Sequence, residues 1–317
     1  MIKLGIVGLG VMGTRFYNLL KKMNVKVVAV CDIDETKLKL FKNEEVKVYR
    51  DYRSMAEEGG FDGVIIAVPP LYHAEHAIEF LSKGYYVFLE KPMANDIDGA
   101  RRIFDAAKGR NRLFVGYCLK FNKMYQKVKN LVDNVLGEPK FMWHIALGRF
   151  PQRSWIHSKS ISGGVLIEHG SHVVHVFYWY GGPVKKVYAN MTYNSNDVEK
   201  AFTVTLEHVS GTVSTFTLSW FGGHNWRKWG IDGEKGRIVV EGYLEGEFLV
   251  SSSDGTMIMR EVVSMDPIHM YEEELKHFVD TIERGGKFLV DEEEAFIVQR
   301  IIDAAYRSSH EGRAVHL

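Results

Sequence analysis

The chain has 317 residues, enough for about two domains that each bury their own core, so a single small module is excluded. Its 40 lysines and arginines balance 40 aspartates and glutamates, leaving no electrostatic footprint for nucleic acid or an anionic membrane surface. The 46% hydrophobic share is that of a globular protein, and two isolated cysteines, Cys31 and Cys118, point to a reduced, cytoplasmic protein.

The first apolar run, MIKLGIVGLGVMG, is punctuated by Gly5, Gly8, Gly10 and Gly13 and runs into a charged helix, so it reads as a strand and turn rather than a secretory signal. From Met1 to about Gly116, short β-branched runs alternate with amphipathic helical stretches. This is the pattern of a doubly wound parallel sheet with crossover helices. The predicted strands are IKLGIV, VKVVAVC, VKVY, GVIIAV, YYVFLE and LFVG, and several are continuously apolar, as burial on both faces requires. GVIIAV is far too short to span a membrane and ends in Pro69-Pro70. Phe16, Leu19, Leu20 and Met23 mark the buried face of the first helix.

Between the first strand and that helix lies Gly8-Leu9-Gly10-Val11-Met12-Gly13. In a strand-to-helix setting this spacing is a dinucleotide fingerprint. The first glycine makes the tight turn, the second admits the pyrophosphate, the third lets helix pack on strand, and the helix N-terminus supplies N–H donors. Asp32 ends the second strand 19 residues after Gly13, where a carboxylate accepts the adenosine ribose hydroxyls and repels a 2′-phosphate. NAD is therefore expected over NADP, the more so because Ile33 and Asp34, not basic residues, follow. The plainer alternative is that the glycines shape a turn and Asp32 caps the next segment.

Ligands of open parallel sheets bind beyond the carboxyl ends of the strands, which directs attention to Pro69 and His73 after the fourth strand and to Glu90 and Lys91 after the fifth. Lys91 could donate to a substrate hydroxyl or steady a developing alkoxide; the plainer alternative is a solvated Glu90–Lys91 pair. His73 reads as a helix-start histidine touching cofactor or solvent rather than as an acid-base group.

Beyond Phe121 the rhythm changes. A helical stretch near 123–136, an extended PKFMWHIAL, a polar loop and a helix around 164–180 are followed by KKVYANMTY, AFTVTLEHV, GTVSTFTLSW, GRIVVEG and EGEFLVSS, expected to form a mainly antiparallel sheet. Alternate apolar positions such as Val213, Phe216 and Leu218 suggest a face for self-association as a dimer or tetramer. Helices from about Tyr271 to Arg284 and from Glu292 to Ser309 close the chain.

The segment Gly163-Gly164-Val165-Leu166-Ile167-Glu168-His169-Gly170-Ser171-His172 carries a second chemical signal. On an α-helix Glu168 and His172 lie about 40° apart, so the carboxylate can orient an imidazole base. His169, His172 and His175 step around the helix by about 60° each, which disfavours a shared zinc ion, and no metal is expected. His169 and His175 read as packing or capping residues. The loop positions Arg149, Arg153, Trp155 and His157 are candidates for contacting substrate, and Trp143, Trp220, Trp226 and Trp229 are read mostly as core aromatics.

GLGVMG, AVPPLYH, Glu90-Lys91-Pro92, GYCLKFNKMYQKVKNLVDNVLGEP, GGVLIEHGSH and the terminal AYRSSHEGRAVHL together resemble the glucose-fructose oxidoreductase, inositol dehydrogenase and rhizopine catabolism family of NAD(P)-dependent dehydrogenases. The resemblance implies a Rossmann domain, here 1–119, and an α/β domain, here 120–289, whose open sheet mediates oligomerisation, with the last helix, about 290–317, packing back on the first domain. It also implies a catalytic lysine at Lys91, a catalytic histidine at His172, and Glu168 where the family carries aspartate. The family often has aspartate in place of His175, and arginine and proline in place of Lys120 and Lys123, which bears on the substrate more than on the reaction. The expected function is hydride transfer between nicotinamide and a secondary hydroxyl or ketone of a sugar, polyol or cyclitol; a non-catalytic dinucleotide sensor of the same fold is the alternative.

Overall fold

The six apolar runs of the first half form β1 (Ile2–Val7), β2 (Val25–Cys31), β3 (Lys47–Tyr49), β4 (Gly63–Ile66), β5 (Tyr86–Glu90) and β6 (Leu113–Gly116). All five pairings are parallel, in the order β3-β2-β1-β4-β5-β6. The order reverses beside β1, so the carboxyl ends of β1, β2, β4 and β5 share one edge of the sheet, the place where ligands settle in this architecture. The computed structural model describes residues 1–41, 45–150, 152, 154–195, 197–242, 245–264 and 267–317.

Contacts divide the chain into two units, Met1–Tyr117 with Tyr271–Gln299, and Cys118–Met270 with Arg300–Leu317. In unit 1, β4 and β6 are buried throughout, as a sheet covered on both faces demands. Helix Val11–Leu20 buries Phe16, Leu19 and Leu20; Met23 lies in the turn beyond it and is half-buried. The part of helix Pro267–Arg284 from Tyr271 onward belongs to this unit because its apolar face is spent there: Phe278 meets Phe88 at 5.6 Å and stacks on Phe288 at 5.6 Å. At the start of helix Glu292–Glu311, Phe296 stacks on Phe104 at 4.8 Å.

Unit 2 holds β7 (Pro139–Arg149), β8 (Val184–Tyr193), β9 (Glu199–His208), β10 (Val213–Ser219), β11 (Phe221–Gly233), β12 (Gly236–Gly242), β13 (Glu245–Ser252), β14 (Met257–Ser264) and β15 (Val315–His316) in one sheet, ordered β14-β13-β12-β11-β7-β10-β9-β8-β15. Every ladder is antiparallel except β7 with β10. Three of these strands, β11, β14 and β15, go beyond the sequence expectation. The first half of β11, with Gly222, Gly223, His224 and Asn225, is exposed and its register shifts between Phe221 and Trp226, so it carries no apolar alternation; β14 is an exposed edge.

Helix Ser171–Gly181 packs on the sheet, with Phe177 at 6.2 Å from Phe216. Phe216 and Leu218 are 1% and 2% exposed, which corrects their reading as an outward face: they are core. The opposite face of the sheet carries the exposed Phe141, Leu147 and Tyr188 instead. No helix among the described residues is long and apolar enough to cross a membrane.

Candidate functional site

At the carboxyl edge of the unit 1 sheet, β1 ends at Val7 and the chain turns through Gly8 at φ +90°, a conformation that disfavours side chains. A Cβ on Gly8 would lie 2.6 Å from the Ala67 carbonyl oxygen, and one on Gly13 only 1.8 Å from the Gly8 carbonyl oxygen, so both positions require glycine. A Cβ on Gly10, by contrast, would meet nothing within 4 Å, and Gly10 caps helix Val11–Leu20 without a side-chain hydrogen bond. Open space before uncapped helix N–H groups is what an approaching pyrophosphate needs. Val11 is exposed in that first turn, and Met12 accepts at its sulfur from Arg15 at 3.1 Å.

Asp32, directly after β2, is 8% exposed. Its Oδ2 accepts from the Leu9 backbone N–H at 2.7 Å, which ties the carboxylate to the glycine turn, and its Oδ1 accepts from Asp34 N–H at 2.9 Å. Lys37, which the sequence reading passed over, also reaches it: Nζ lies 3.1 Å from Oδ2 and 3.3 Å from Oδ1. The only signal for this contact was a lysine five residues downstream, and its relevance depends on the chain folding back there. It does so because Asp34 caps a one-turn helix, Glu35–Leu38, accepting from Thr36 N–H at 2.9 Å.

Pro69 precedes a short turn, Pro70–Tyr72, that leads into helix His73–Ser82. His73 is buried, its Nδ1 2.8 Å from the Pro92 carbonyl and its Nε2 2.9 Å from the Val68 carbonyl. It bridges the loops after β4 and β5. Burial pushes its imidazole down to about 4, overriding the carbonyls that favour the cation. A neutral ring has one N–H and donates to only one of these two carbonyls; buried between the loops, the side chain does not have contact with solvent as its role. Glu90 is buried and its carboxylate accepts from the Lys91 backbone N–H at 3.1 Å; Lys91 is half-buried at the sheet edge.

In unit 2, Leu166–Gly170 is a π-helical turn that continues into helix Ser171–Gly181. The 100° per residue used to place Glu168 beside His172 therefore does not hold across the turn carrying Glu168, because a π turn winds through a smaller angle per residue. Glu168, His169 and His172 are half-buried, whereas His175 is fully buried in the core. His169 meets Trp220 edge-on at 5.5 Å. Beneath the helix, Glu199 accepts from Leu166 N–H at 2.6 Å and from the Tyr306 hydroxyl, which also donates to the Gly163 carbonyl at 3.2 Å. This support of the turn joins residues remote in sequence and gave no local signal.

Of the loop candidates, Arg149 is exposed at the end of β7 and donates to the Gly223 carbonyl. Trp155 is half-buried in the turn Ser154–His157, and the His157 ring lies 4.6 Å from Phe150. Arg153 lies outside the described residues. Trp229 is core, stacked on Tyr125 at 5.1 Å. Opposite it in register is His144, whose imidazole is held well below its ordinary range by burial, then by the charges of Arg227 and His169. Among the described residues no three or more His, Cys, Asp or Glu are grouped to hold a metal ion.

Comparison with known proteins agrees with this arrangement. A family model described as oxidoreductase family, NAD-binding Rossmann fold, matches residues 2–117, and the GFO/IDH/MocA C-terminal domain matches residues 125–239. The myo-inositol 2-dehydrogenase of Thermotoga maritima is 26% identical over 332 residues, spanning 100% of this chain and 98% of that protein. The D-xylose 1-dehydrogenase (NADP(+)) 2 of Haloferax volcanii is 25% identical over 283 residues, spanning 85% and 84%. Levoglucosan dehydrogenase, solved in complex with NADH, shares the fold with a TM-score of 0.86 at 19% identity, over 99% of this chain and 98% of that one. With a six-stranded Rossmann sheet whose glycine turn leaves room for a dinucleotide and a second, mostly antiparallel sheet, the chain belongs to the GFO/IDH/MocA family of NAD(P)-dependent oxidoreductases.

Proposed function

We propose that the chain interconverts a secondary hydroxyl and its ketone on a sugar, polyol or cyclitol, with NAD favoured over NADP. The observation that carries this is the sheet edge of unit 1, where the open Gly10 turn, Asp32 and Lys91 all follow carboxyl ends of parallel strands. The inositol and xylose dehydrogenases among its relatives support the substrate class. Gly8 to Gly13 would hold the pyrophosphate and Asp32 the adenosine ribose; the bound nicotinamide supplies a hydride acceptor or donor.

His172 is the proposed general base that takes the hydroxyl proton, and Lys91 is proposed to donate to a substrate hydroxyl and steady developing negative charge. Glu168 orients His172 or a second hydroxyl. His73 holds the loops that flank Lys91 rather than touching substrate. Arg149, Trp155 and His157 are proposed to choose among hydroxylated rings. The buried Cys31, whose thiol is pushed up to about 12 by burial and then by Asp32 and Asp51, is inert and suits a cytoplasmic protein. Self-association as a dimer or tetramer is proposed through the sheet face bearing Phe141, Leu147 and Tyr188. Light scattering at micromolar concentration tests it, and a monomeric mass would overturn it.

The test of function is a panel of cyclitols, aldoses, ketoses and polyols, incubated with NAD or NADP while nicotinamide absorbance is followed. Reduction of NAD by a member of the panel is the expected result. Tight NADH binding with no turnover of any member would turn the reading to a dinucleotide sensor.

A further inference from the structure

The Asp32 carboxylate differs from one that simply waits for a ribose. A carboxylate offers about four lone-pair sites. Here Oδ2 takes Leu9 N–H and Lys37 Nζ, and Oδ1 takes Asp34 N–H and the same ammonium, at 2.7 to 3.3 Å. The protein's own donors thus fill the positions that ribose hydroxyls would use. Leu9 and Asp34 contribute backbone groups fixed by the fold. Lys37 is the movable member, its side chain 38% exposed against 6% for Asp32. Ile33, which stands between them in sequence, is 84% exposed and does not cover the pair. Arg50, another basic residue near this segment, is paired with Glu35 at 2.6 Å.

Two consequences follow from charge alone. A bare carboxylate repels a 2′-phosphate, but a carboxylate paired with an ammonium at 3.1 Å presents little net charge, so that repulsion largely disappears. An ammonium displaced from Asp32 by a ribose also stays tethered within reach of the same spot, where it is a point-charge partner for phosphate.

We propose that Lys37 is a cofactor-selecting residue: it yields Asp32 to the ribose hydroxyls of NAD and pairs with the 2′-phosphate of NADP, so that the preference for NAD is narrower than Asp32 alone would set. This rests on the reading of the Gly8 to Gly13 turn as a dinucleotide site. It assigns the discrimination to a residue outside the fingerprint and opposes the effect of Asp32.

The experiment titrates NADH and NADPH into the full chain by nicotinamide fluorescence with no substrate present, for wild type, Lys37→Met and Lys37→Arg. Lys37→Met keeps the unbranched shape, one atom shorter, and removes the charge. It should weaken NADPH by about tenfold or more and leave NADH unchanged or up to a few-fold tighter, because Asp32 is then free of its competitor. Lys37→Arg should retain NADPH binding. Added salt should weaken NADPH binding more for wild type than for Lys37→Met, since an exposed ion pair is screened. An NADH to NADPH ratio unchanged by Lys37→Met would overturn the proposal alone. Binding of neither dinucleotide by wild type would overturn it together with the dinucleotide reading.

Discussion

Glu274 and Glu90 lie in one buried environment: a Cβ on Gly116, which pairs with Glu90 across β5 and β6, would come 3.5 Å from Oε1 of Glu274. Glu274 is fully buried and neither of its carboxyl oxygens has a hydrogen-bond partner among the described residues. Burial first, and the charge of Glu90 second, raise its carboxyl well above the ordinary range. The neutral form of Glu274 is therefore favoured by its surroundings, beside the residue that precedes Lys91.

A raised native pKa means that the folded chain binds a proton the unfolded chain releases. Its contribution to stability is complete below the ordinary carboxylate value of 4.5 and is lost as pH climbs toward the folded value. Glu274→Gln removes that dependence. The variant should melt a few degrees above wild type at about pH 8 and converge with it near pH 4 to 5, read by thermal melts across pH. Parallel melting curves at every pH would show that Glu274 is not held neutral.

His172→Ala should lower turnover by about 10² to 10⁴ while leaving NADH affinity nearly unchanged, because a base acts in the chemical step and not on the dinucleotide. Steady-state kinetics on whichever substrate the panel yields, paired with fluorescence titration, measures both. Near-normal turnover would remove the base from this helix. Glu168→Gln keeps the shape and should cost less than His172→Ala, in keeping with an orienting role.

Lys91→Ala should weaken substrate binding and turnover together. Lys91→Arg should not restore them, since a guanidinium is bulkier and directs its donors differently from an ammonium. Determination of kcat and KM separately decides the matter; a variant with altered KM alone would make Lys91 a binding residue only.

Asp32→Ser should weaken NAD by about tenfold or more through loss of charge-assisted hydrogen bonds worth roughly 1.5–3 kcal/mol. NADP should improve, the more so because Lys37 loses its partner at 3.1 Å. An unchanged NAD to NADP ratio in competition titrations would remove Asp32 from the ribose site.

The Rossmann half was largely legible in sequence because its information is local. Continuous apolar runs, the spacing of Gly8, Gly10 and Gly13, and a carboxylate at the end of β2 all lie within about thirty residues of one another. What escaped reading depends on distance or on backbone irregularity. Lys37 reaches Asp32 only because Asp34 turns the chain, and helix Pro267–Arg284 is amphipathic whichever unit it serves. The π turn at Leu166–Gly170 has no composition of its own, so the helical-wheel placement of Glu168 against His172 assumed a regularity the backbone lacks. β11 hides behind paired glycines and an exposed polar half.

The support under that π turn also bears on how the protein comes into being. Tyr306 holds Glu199 and the Gly163 carbonyl, Glu199 holds the Leu166 N–H, Ser308 Oγ accepts from Ala189 N–H at 3.0 Å, and β15 closes the sheet against β8. Apart from the Glu199–Leu166 bond, these contacts tie residues more than a hundred positions apart. During synthesis the segment bearing His172 emerges long before the residues that brace it, and contacts of such separation form late. The His172 segment therefore lacks this brace until Tyr306 and Ser308 have left the ribosome, and a chain ended just before Tyr306 would carry every residue of the fingerprint and of the proposed chemistry on a turn held from below by Glu199 alone.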